Sequence, residues 1–312
     1  MTLLVASAGG HLKQLHRLRP RLEDLEGEVV WVTWPCAQER SLLRDEPVIH
    51  VRETAPRDVV TILRNTDHAL AVTRKRRVRA LVSTGSQVVL PFMAMASARG
   101  ASCHFIESAA RSEGPSLTGR IVQRIPGVRY YTQYAGGSHG YVGSVFDGFA
   151  AAQRELPARV SRAVVVLGTM PHGFRRLVER LAPLLGPEVE TLWQVGSTDT
   201  GGLGIHVHRT VPAHDLAAAM READLVVAHA GVGAALDAFE AGRHPILVPR
   251  RVARDEHVDD HQRQVAQALA ARGLASSRDA DELSEDDLLA AAARAVTEVP
   301  APPVHLDMEP AR

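Results

Sequence analysis

Short apolar runs alternate with longer stretches of helical periodicity in the first half of the chain. Each apolar run is four or five residues long, which is typical of strands buried on both faces. The runs predicted as strands are Leu3–Ala6, Val29–Thr33, Ala80–Ser83 and Ser102–Ile106, and the stretches predicted as helices are Leu12–Leu25, Val59–Val72 and Val88–Arg99. Because strands that alternate with helices build parallel sheets, this half predicts a doubly wound α/β domain.

The same alternation starts again in the second half. Here the predicted strands are Ala163–Leu167, Glu190–Val195, His206–His208, Ala223–Ala228 and Pro245–Pro249, and the predicted helices are Phe174–Leu185, Leu216–Glu222, Val265–Arg272 and Asp286–Thr297. The rhythm breaks between Gly143 and Pro157, where we place the junction. The sequence therefore predicts two Rossmann-like doubly wound domains facing a central cleft, over residues 1–152 and 158–298, with a proline-rich flexible tail over residues 299–312.

Length and composition fit this picture. A chain of 312 residues with 45% hydrophobic and 23% charged side chains has room for two globular domains of ordinary size. Basic and acidic residues number 36 each, so the net charge does not indicate a nucleic-acid partner.

Cys36 and Cys103 are too distant in sequence to suggest a disulfide framework or a zinc site. The apolar start, Met1–Val5, has no basic flank, and no run approaches the roughly 20 apolar residues of a membrane span, so we expect a cytoplasmic protein.

The most informative motif is the glycine-rich segment from His229 to Asp237, which reads His-Ala-Gly-Val-Gly-Ala-Ala-Leu-Asp. It follows a predicted buried strand and opens a predicted helix, so its backbone N–H groups and the positive end of the helix dipole favour a phosphate group. Asp237 is either a ribose-binding carboxylate or a solvated helix residue. A polar cluster, Asp259–Gln262, follows the next predicted strand, and this pair of strand ends predicts a nucleotide pocket.

A second glycine turn, Ser7–His11, follows the first predicted strand and has Gln14 one helical turn later. Gly9 and Gly10 let a ligand approach the backbone closely. His11 lies at the start of the predicted helix, where an imidazole is suited to take a proton from a hydroxyl group. The spacing allows equally well a histidine that only caps the helix.

Weaker signals stand at three other predicted strand ends. They are Thr84 and Gly85 after the third strand, Glu107 and Arg111 after the fourth, and Gly168 and Thr169 at the start of the second half. Each is either a ligand contact or ordinary turn and surface chemistry. The basic run Arg74–Arg79 is either a contact for anionic lipid headgroups or a solvated helix end. His206 and His208 alternate along a predicted strand, but nothing completes a ligand set, so no metal is assigned.

These motifs resemble a known family of glycosyltransferases. Those of the first half, Val5–Leu15, Phe105–Arg111 and Ser116–Gly119, resemble the acceptor-side subunit of the two-subunit N-acetylglucosaminyltransferase of dolichol-linked oligosaccharide synthesis and, still more, the matching bacterial exopolysaccharide subunit. Those of the second half, Gly168-Thr169, His229–Gly233, Val248–Arg251 and Glu256–Gln262, are similar to the donor-side subunit of the same pairs, which include lipid-linked glucuronosyltransferases. The resemblance extends to about residue 275. It implies a fusion of both halves and, through the peptidoglycan N-acetylglucosaminyltransferase, the GT-B fold.

The resemblance also implies roles for individual residues. A UDP-sugar is bound by the second half, with its diphosphate on the glycine turn, and His11 is the candidate catalytic base. The candidate donor-binding residues are Gly168, Thr169, His229, Gly231, Val232, Gly233, Asp237, Arg250, Arg251, His261 and Gln262, and the acceptor-side candidates are Gly9, Gly10, Gln14, Thr84, Gly85, Glu107 and Arg111. Asp237 is expected to bind ribose and Gln262 the donor sugar. Ala234 and Ala235 stand where many relatives have Ser or Thr, which removes one hydroxyl contact to phosphate.

We therefore expect an inverting, metal-independent transfer from a UDP-sugar to a hydroxyl of a lipid-linked saccharide in exopolysaccharide biosynthesis. His11 removes the hydroxyl proton and the glycine turn stabilises the leaving diphosphate, so no cofactor is required. Glucuronate and N-acetylglucosamine are the favoured sugars; a pair between Arg250 or Arg251 and a donor carboxylate would favour glucuronate. Any contact with an anionic membrane, at the inner face of the plasma membrane, is expected to be peripheral.

Three alternatives stay open at this point. A nucleotide-sugar 2-epimerase shares the GT-B architecture and binds the same donor, but the acceptor-side motifs favour transfer. A glycosyltransferase that acts on a soluble natural product fits a chain in which no membrane anchor is recognised. A non-catalytic half of a larger assembly is disfavoured by the fusion of both halves.

Overall fold

A computed structural model describes residues 1–54, 58–136, 139–155, 157–168, 172–257 and 260–308. The chain forms two compact units, one from Met1–Val145 with the returning segment 301–308, and one from Phe146–Pro300. The boundary between the units therefore falls at Phe146, inside the predicted junction Gly143–Pro157 but ahead of residue 152, where the first predicted domain ends. The reason is that strand β8 (Phe149–Gln153) pairs with a strand of the second unit.

The first unit is built on a seven-stranded parallel sheet. Its strands are β1 (Thr2–Val5), β2 (Val29–Thr33), β3 (Val48–His50), β4 (Ala80–Ser83), β5 (Ser102–Ile106), β6 (Val128–Thr132) and β7 (Gly140–Tyr141). The spatial order is β3-β2-β1-β4-β5-β6-β7, and every neighbouring pair is parallel. The order reverses between β1 and β4, and ligands bind at such a switch point, beyond the carboxyl ends of the strands.

Helices connect these strands. They are α1 (Gly10–Leu18), α2 (Ala37–Leu42), α3 (Val59–Lys75), α4 (Val89–Ser97) and α5 (Leu117–Val122). The start of α3 is fixed by Asp58, whose carboxylate accepts a hydrogen bond from the backbone N–H of Thr61. Helix α1 ends at Leu18, before the predicted end at Leu25, because Pro20 lies in a following 3-10 turn.

The second unit has a five-stranded parallel sheet and a separate antiparallel pair. Its strands after β8 are β9 (Arg162–Val166), β10 (Glu190–Gln194), β11 (Leu225–His229), β12 (Ile246–Val248), β13 (Ser276–Ser277) and β14 (Arg294–Glu298). Its helices are α6 (Arg175–Leu185), α7 (Ala213–Glu222), α8 (Val232–Glu240), α9 (His261–Ala271) and α10 (Glu285–Ala292). The order of the parallel sheet is β10-β9-β11-β12-β13, and β14 pairs with β8. Together, the two units confirm the predicted α/β fold with doubly wound parallel sheets.

Two predicted elements of this unit differ from the structure. The segment His206–His208 makes only a single bridge, between His208 and Gln194. The helix predicted over Asp286–Thr297 ends at Ala292, and Arg294–Glu298 forms β14 instead. Its partner β8 lies far away in sequence, so local periodicity carries no sign of this pairing.

The segment after the second unit packs against the first unit. The sequence predicts a flexible tail over residues 299–312, but the side chains of Val304 and Leu306 are buried. Val304 forms a parallel bridge with Leu22, and the Leu306 N–H donates to Asp24 at 2.9 Å. An ion pair of 3.0 Å joins Arg129 to Asp307. This segment, residues 301–308, is therefore a strap that belongs to the first unit.

Candidate functional site

The carboxyl edge of the second sheet brings three predicted motifs together. Strands β9, β11 and β12 are neighbours in the sheet and parallel, so their carboxyl ends meet at one edge. Gly168 follows β9, Gly231 follows β11, and Arg250 follows β12. Thr169, the partner of Gly168 in the predicted turn, and Asp259 lie outside the described residues.

His229 fills the space between the two glycine turns. Its Nδ1 lies 3.2 Å from the Val166 carbonyl oxygen. Because a carbonyl only accepts hydrogen bonds, Nδ1 carries the proton and Nε2 has the lone pair in the neutral ring. A Cβ atom at Gly168 would lie 2.7 Å from the imidazole, and one at Gly231 would lie 2.5 Å from Nε2. Both turns therefore need glycine while this ring is in place.

The imidazole of His229 is held neutral. Burial lowers its pKa from 6.5 to about 3, and the positive charge of Arg250 contributes further. A neutral ring so close to the glycine turns is an orienting and packing group at physiological pH.

Helix α8 presents its N-terminus at this edge. Gly231 is the N-cap residue, and among the described residues no side chain caps the helix. The N–H groups of the first turn, from Val232 and Gly233 onward, have no intrahelical partner and suit an anion. Ala234 and Ala235 are buried and supply no hydroxyl group. Asp237 lies half-buried on the second turn of α8.

Arg250 and Gln262 meet beyond the end of β12. Both side chains are buried, and Gln262 Oε1 accepts a hydrogen bond of 3.0 Å from the Arg250 backbone N–H. The Arg250 guanidinium reaches across to β9, where Nη2 donates to the Leu167 carbonyl at 2.7 Å. Its Cζ lies 5.6 Å from the centre of the Phe174 ring.

Arg251 has a different environment. Its Nε donates to Asp279 at 2.8 Å, and its backbone N–H donates to Glu256 at 2.9 Å. Arg176 binds the same two carboxylates, at 3.0 Å and 2.6 Å. Burial alone would raise the pKa of Asp279, but hydrogen bonds from the two arginines hold it at about 2. The predicted donor-binding role of Arg251 therefore has to compete with an ion-pair network.

Histidines surround this edge of the sheet. His261 begins α9, and its ring centre lies 4.7 Å from that of His257. The ring of His172 lies 6.2 Å from His257. Of these histidines, only His261 was predicted to bind the donor. His172 and Phe174 follow the glycine turn at Gly168, and His257 lies within the Glu256–Gln262 motif, but the sequence alone predicted no role for them.

The carboxyl edge of the first sheet holds His11 in a similar way. Its Nδ1 lies 2.8 Å from the Thr84 carbonyl oxygen, and the Thr84 hydroxyl donates back to the His11 carbonyl at 2.8 Å. Nδ1 therefore carries the proton, and Nε2 has the lone pair in the neutral ring. Gly85 has a φ of +117°, and a Cβ atom there would lie 2.8 Å from His11 Cε1. The structure thus brings together three residues that were predicted from separate turns.

Gln14 joins α1 to the ends of β5 and β6. Its Oε1 accepts hydrogen bonds from Ala109 N at 2.8 Å and from Gln133 Nε2 at 3.1 Å. Its Nε2 donates to Ser108 Oγ at 3.1 Å. All these groups lie inside the unit, so Gln14 supports the site rather than facing a ligand. Gln133, which the sequence analysis missed, directly follows β6 and could have been found as another polar residue at a strand end.

Gly9 and Gly10 lie where the turn becomes α1. Gly9 is exposed with a φ of +94° and exchanges two hydrogen bonds with the side chain of Gln38. Gly10 is the first residue of the helix. The exposed turn leaves room for a ligand beside His11.

Glu107 lies inside the first unit. Its carboxylate accepts hydrogen bonds from the Ser116 N–H at 2.9 Å, the Ser116 hydroxyl at 3.1 Å, the Tyr130 hydroxyl at 2.9 Å and the Ser108 N–H at 3.1 Å. Burial raises the pKa of Tyr130, and the charge on Glu107 raises it further. Glu107 therefore anchors α5, which explains its presence without an acceptor. Arg111 is half-buried, and its backbone N–H donates to Ser108.

Two features are absent from the described residues. The described residues contain no group of three or more His, Cys, Asp or Glu side chains placed to hold a metal ion. Over the same residues, no helix combines the length and the apolar character needed to cross a bilayer.

Comparison with known proteins shows that the chain is similar to glycosyltransferases. Residues 165–298 match the glycosyltransferase family 28 C-terminal domain. The chain is 32% identical over 250 residues to the UDP-N-acetylglucosamine–N-acetylmuramyl-(pentapeptide) pyrophosphoryl-undecaprenol N-acetylglucosamine transferase of Xanthomonas euvesicatoria pv. vesicatoria, an alignment that covers 74% of this chain and 54% of that protein. It is 40% identical over 70 residues to the UDP-N-acetylglucosamine transferase subunit ALG13 of Yarrowia lipolytica, which covers 22% of this chain and 34% of that subunit. The chain thus spans about half of one relative's length and a third of the other's.

A solved structure supports the same relationship at the level of the fold. The crystal structure of Acinetobacter baumannii MurG superposes with a TM-score of 0.58 at 22% identity, covering 93% of this chain and 88% of that one. The chain therefore has the GT-B fold and is related to the peptidoglycan N-acetylglucosaminyltransferases, and its residues 165–298 match the glycosyltransferase family 28 C-terminal domain.

Proposed function

We propose that this protein is a UDP-sugar-dependent glycosyltransferase that transfers a sugar to a hydroxyl of a lipid-linked saccharide. The observation that carries the proposal is the carboxyl edge of the second sheet, where two glycine turns and an uncapped helix N-terminus lie within the segment that matches family 28. This edge offers backbone N–H groups to a diphosphate. Both relatives compared above are named as UDP-N-acetylglucosamine transferases, which supports a uridine nucleotide as donor.

The donor lies along this edge in the proposed complex. The diphosphate binds the first turn of α8 at Gly231, Val232 and Gly233. Asp237, one turn further along α8, accepts hydrogen bonds from the ribose hydroxyls. Gln262 binds the sugar. The hydrogen bond from the Arg250 backbone fixes the orientation of its amide.

His11 is the catalytic base in this scheme. The Thr84 carbonyl holds the Nδ1 proton, so Nε2 has the lone pair that accepts a proton from the acceptor hydroxyl. The hydroxyl oxygen attacks the anomeric carbon from the side opposite the diphosphate, so the bond to the diphosphate breaks as the new C–O bond forms and the configuration inverts. The N-terminus of α8 stabilises the charge that develops on the leaving diphosphate. The scheme requires no metal.

Exposed apolar side chains support a lipid-linked acceptor. Val59, Val60 and Leu63 are exposed on the first turns of α3, and Leu117 and Ile121 are exposed on α5. In a parallel α/β sheet a connecting helix begins near the carboxyl ends of the strands, so both groups lie toward the edge that holds His11. Apolar groups of this kind suit peripheral contact with a membrane that carries the acceptor. We propose a location at the inner face of the plasma membrane for the same reason.

Calorimetric titration tests the donor part of the proposal. The purified chain is titrated with UDP, UDP-glucuronate, UDP-N-acetylglucosamine, UDP-glucose and a dTDP-sugar. We expect micromolar binding of UDP and a clear preference for one sugar. Failure to bind any uridine nucleotide would remove the proposed function. Conversion of the bound sugar without an acceptor would point to an epimerase instead.

Substitution of His11 tests the chemistry. We expect His11→Ala to lower kcat by a factor of roughly 100 to 10,000, because a positioned general base typically contributes that much. The affinity for UDP should stay unchanged, since UDP binds the other unit in this scheme. Radiolabelled sugar transfer and UDP titration of the same preparation give both values. Near-normal turnover would exclude His11 as the base.

A further inference from the structure

The buried guanidinium of Arg250 lacks most of the hydrogen bonds it can make. Its side chain is 1% exposed. Nη2 donates to the Leu167 carbonyl, but Nε and Nη1 are buried and have no hydrogen-bond partner among the described residues. These two nitrogens carry three of the five N–H groups of a guanidinium. Buried donors are almost always paired in folded proteins, so such an exception calls for a missing partner.

The nearby acidic residues are engaged by other arginines. Both carboxylate oxygens of Glu256 accept hydrogen bonds from Arg176, and one also accepts from the Arg251 backbone. Asp279 is shared between the side chains of Arg176 and Arg251. Burial accordingly lowers the pKa of Arg250 to about 10, despite the attraction of Glu256. The fold therefore contains a buried cation that it does not neutralise, an arrangement that costs stability.

The guanidinium lies at the carboxyl edge of the sheet. It extends from the end of β12 to the end of β9, and β11 lies between these strands. The residue that accepts its hydrogen bond, Leu167, directly precedes the glycine turn at Gly168. Its positive charge acts on His229, whose ring packs against both glycine turns. The unpaired nitrogens are thus placed among the groups that bind the donor in the proposed function.

We propose that Arg250 binds an oxyanion of the donor substrate, either the carboxylate of a uronate sugar or an oxygen of the diphosphate. This inference rests on the proposed function. The N-terminus of α8 already offers a site for the diphosphate, so the carboxylate is the source that we expect. Arg250 is then the residue that selects an acidic sugar over a neutral one, and Arg251 is held in its ion-pair network.

Titration of an Arg250→Met variant tests the inference. UDP-glucuronate and UDP-glucose differ only at C6, where one has a carboxylate and the other a hydroxymethyl group. We expect the wild-type chain to prefer UDP-glucuronate. Arg250→Met should lower the affinity for UDP-glucuronate by at least about tenfold, while the affinities for UDP-glucose and UDP change little. Equal weakening of all three ligands would assign the oxyanion to the diphosphate. Unchanged affinity for all three would overturn the inference.

The matched control is Arg243→Met. Arg243 precedes β12, at the amino edge of the same sheet, and its half-buried guanidinium also donates to backbone carbonyls, those of Met220 and Arg221. Removal of this arginine should leave the three affinities unchanged. If it alters them as Arg250→Met does, the effect is not specific to the Arg250 position and the inference fails.

A stability measurement separates binding from folding. Arg250→Met removes an unpaired buried cation and retains a side chain that packs against Phe174, so the variant without ligand should unfold at the wild-type temperature or above. Arg250→Lys keeps the charge but loses the planar guanidinium, and it should show an intermediate preference for UDP-glucuronate. A lower unfolding temperature for Arg250→Met, together with wild-type preference in Arg250→Lys, would make Arg250 a structural residue. If the wild-type chain binds no uridine nucleotide, both the proposed function and this inference fail. If it binds UDP-sugars but the Arg250 variants bind them with wild-type affinity, only the inference fails and the proposed function stands.

Discussion

In each unit, a histidine is positioned by a backbone carbonyl and by a contact with a glycine. The Nδ1 atoms of His11 and His229 each lie against a backbone carbonyl at the end of a neighbouring strand. Each ring packs against a glycine of positive φ, Gly85 in one unit and Gly168 in the other. The carbonyl fixes the tautomer and the glycine provides space for the ring. The two rings differ in their glycine contacts: His229 lies between two glycine turns, at Gly168 and Gly231, whereas His11 packs against Gly85.

The role of Gly85 can be tested by the smallest possible side chain. In Gly85→Ala the new Cβ would meet His11 Cε1 at 2.8 Å, so the imidazole must move away from the Thr84 carbonyl. We expect kcat to fall about 100-fold, the cost typical of a displacement near 1 Å. Glycosyl transfer assays on the folded variant measure this loss.

Gly100→Ala is the matched control for backbone strain. Gly100 also has a positive φ, +77°, but no atom lies within 4 Å of its hypothetical Cβ. We expect this variant to lose about 1–2 kcal/mol of unfolding free energy without a change in kcat. An equal loss of kcat in both variants would show that strain, and not the contact with His11, is responsible.

At the scale of elements, a single carboxylate determines where α5 begins. Glu107 accepts hydrogen bonds from the backbone and the hydroxyl of Ser116, and Ser116 is also the N-cap of this helix. In Glu107→Gln, an NH2 group replaces one carboxylate oxygen. This group cannot accept the hydrogen bonds that the Ser116 N–H and hydroxyl donate. We expect a loss of about 1–3 kcal/mol in the free energy of unfolding and an unchanged acceptor KM. Urea unfolding and steady-state kinetics distinguish this structural role from acceptor binding, which would raise KM at constant stability.

Most strands and helices can be predicted from the sequence, but few of the side-chain contacts can. Buried parallel strands such as β1 and β4 are short apolar runs, so their positions are visible in the pattern. Strand β14 was missed because it is stabilised by a partner that local periodicity cannot reveal. The histidine at position 11 and the glycine at 85 were found as separate motifs, but their contact depends on β1 and β4 being neighbours. No sequence pattern predicts that two buried nitrogens of Arg250 lack hydrogen-bond partners among the described residues.

At the scale of the whole molecule, buried histidines make stability depend on pH. Burial lowers the pKa of His229 to about 3 and that of His244 to about 4, whereas an unfolded histidine titrates near 6.5. Between pH 6 and pH 5 these two histidines therefore hold about two more protons in the unfolded second unit than in the folded unit. Its stability should fall by about 2.7 kcal/mol for each unit of decrease in pH.

Tryptophan fluorescence follows this unit selectively. Trp193 is the one tryptophan of the second unit, so its signal can be isolated in a Trp31→Phe, Trp34→Phe background. Denaturant unfolding at several pH values then yields the proton uptake. His244→Gln should reduce the proton uptake on unfolding by about one proton. The free energy of unfolding should then change by about 1.4 kcal/mol less for each pH unit. An unchanged slope in that variant would mean that His244 titrates alike in both states.

The returning strap should stabilise only the first unit. Removal of residues 301–312 exposes the surface that buries Val304 and Leu306 and deletes the ion pair of Asp307 with Arg129. Burial of two such side chains is worth about 3–6 kcal/mol. We expect the unfolding transition of the first unit, followed through Trp31, to shift to lower denaturant concentration. The transition of the second unit, followed through Trp193, should stay in place.

The strap also affects the order in which the protein can fold during synthesis. The polypeptide emerges from its amino end, and the second unit, residues 146–300, is continuous in the chain. The first unit begins earlier but lacks its final segment until the whole of the second unit has been translated, a delay on the order of ten seconds or more. The half made first is therefore the half completed last. During that interval the surface around Leu22 is uncovered, so the nascent chain carries a transient apolar site that a chaperone can recognise.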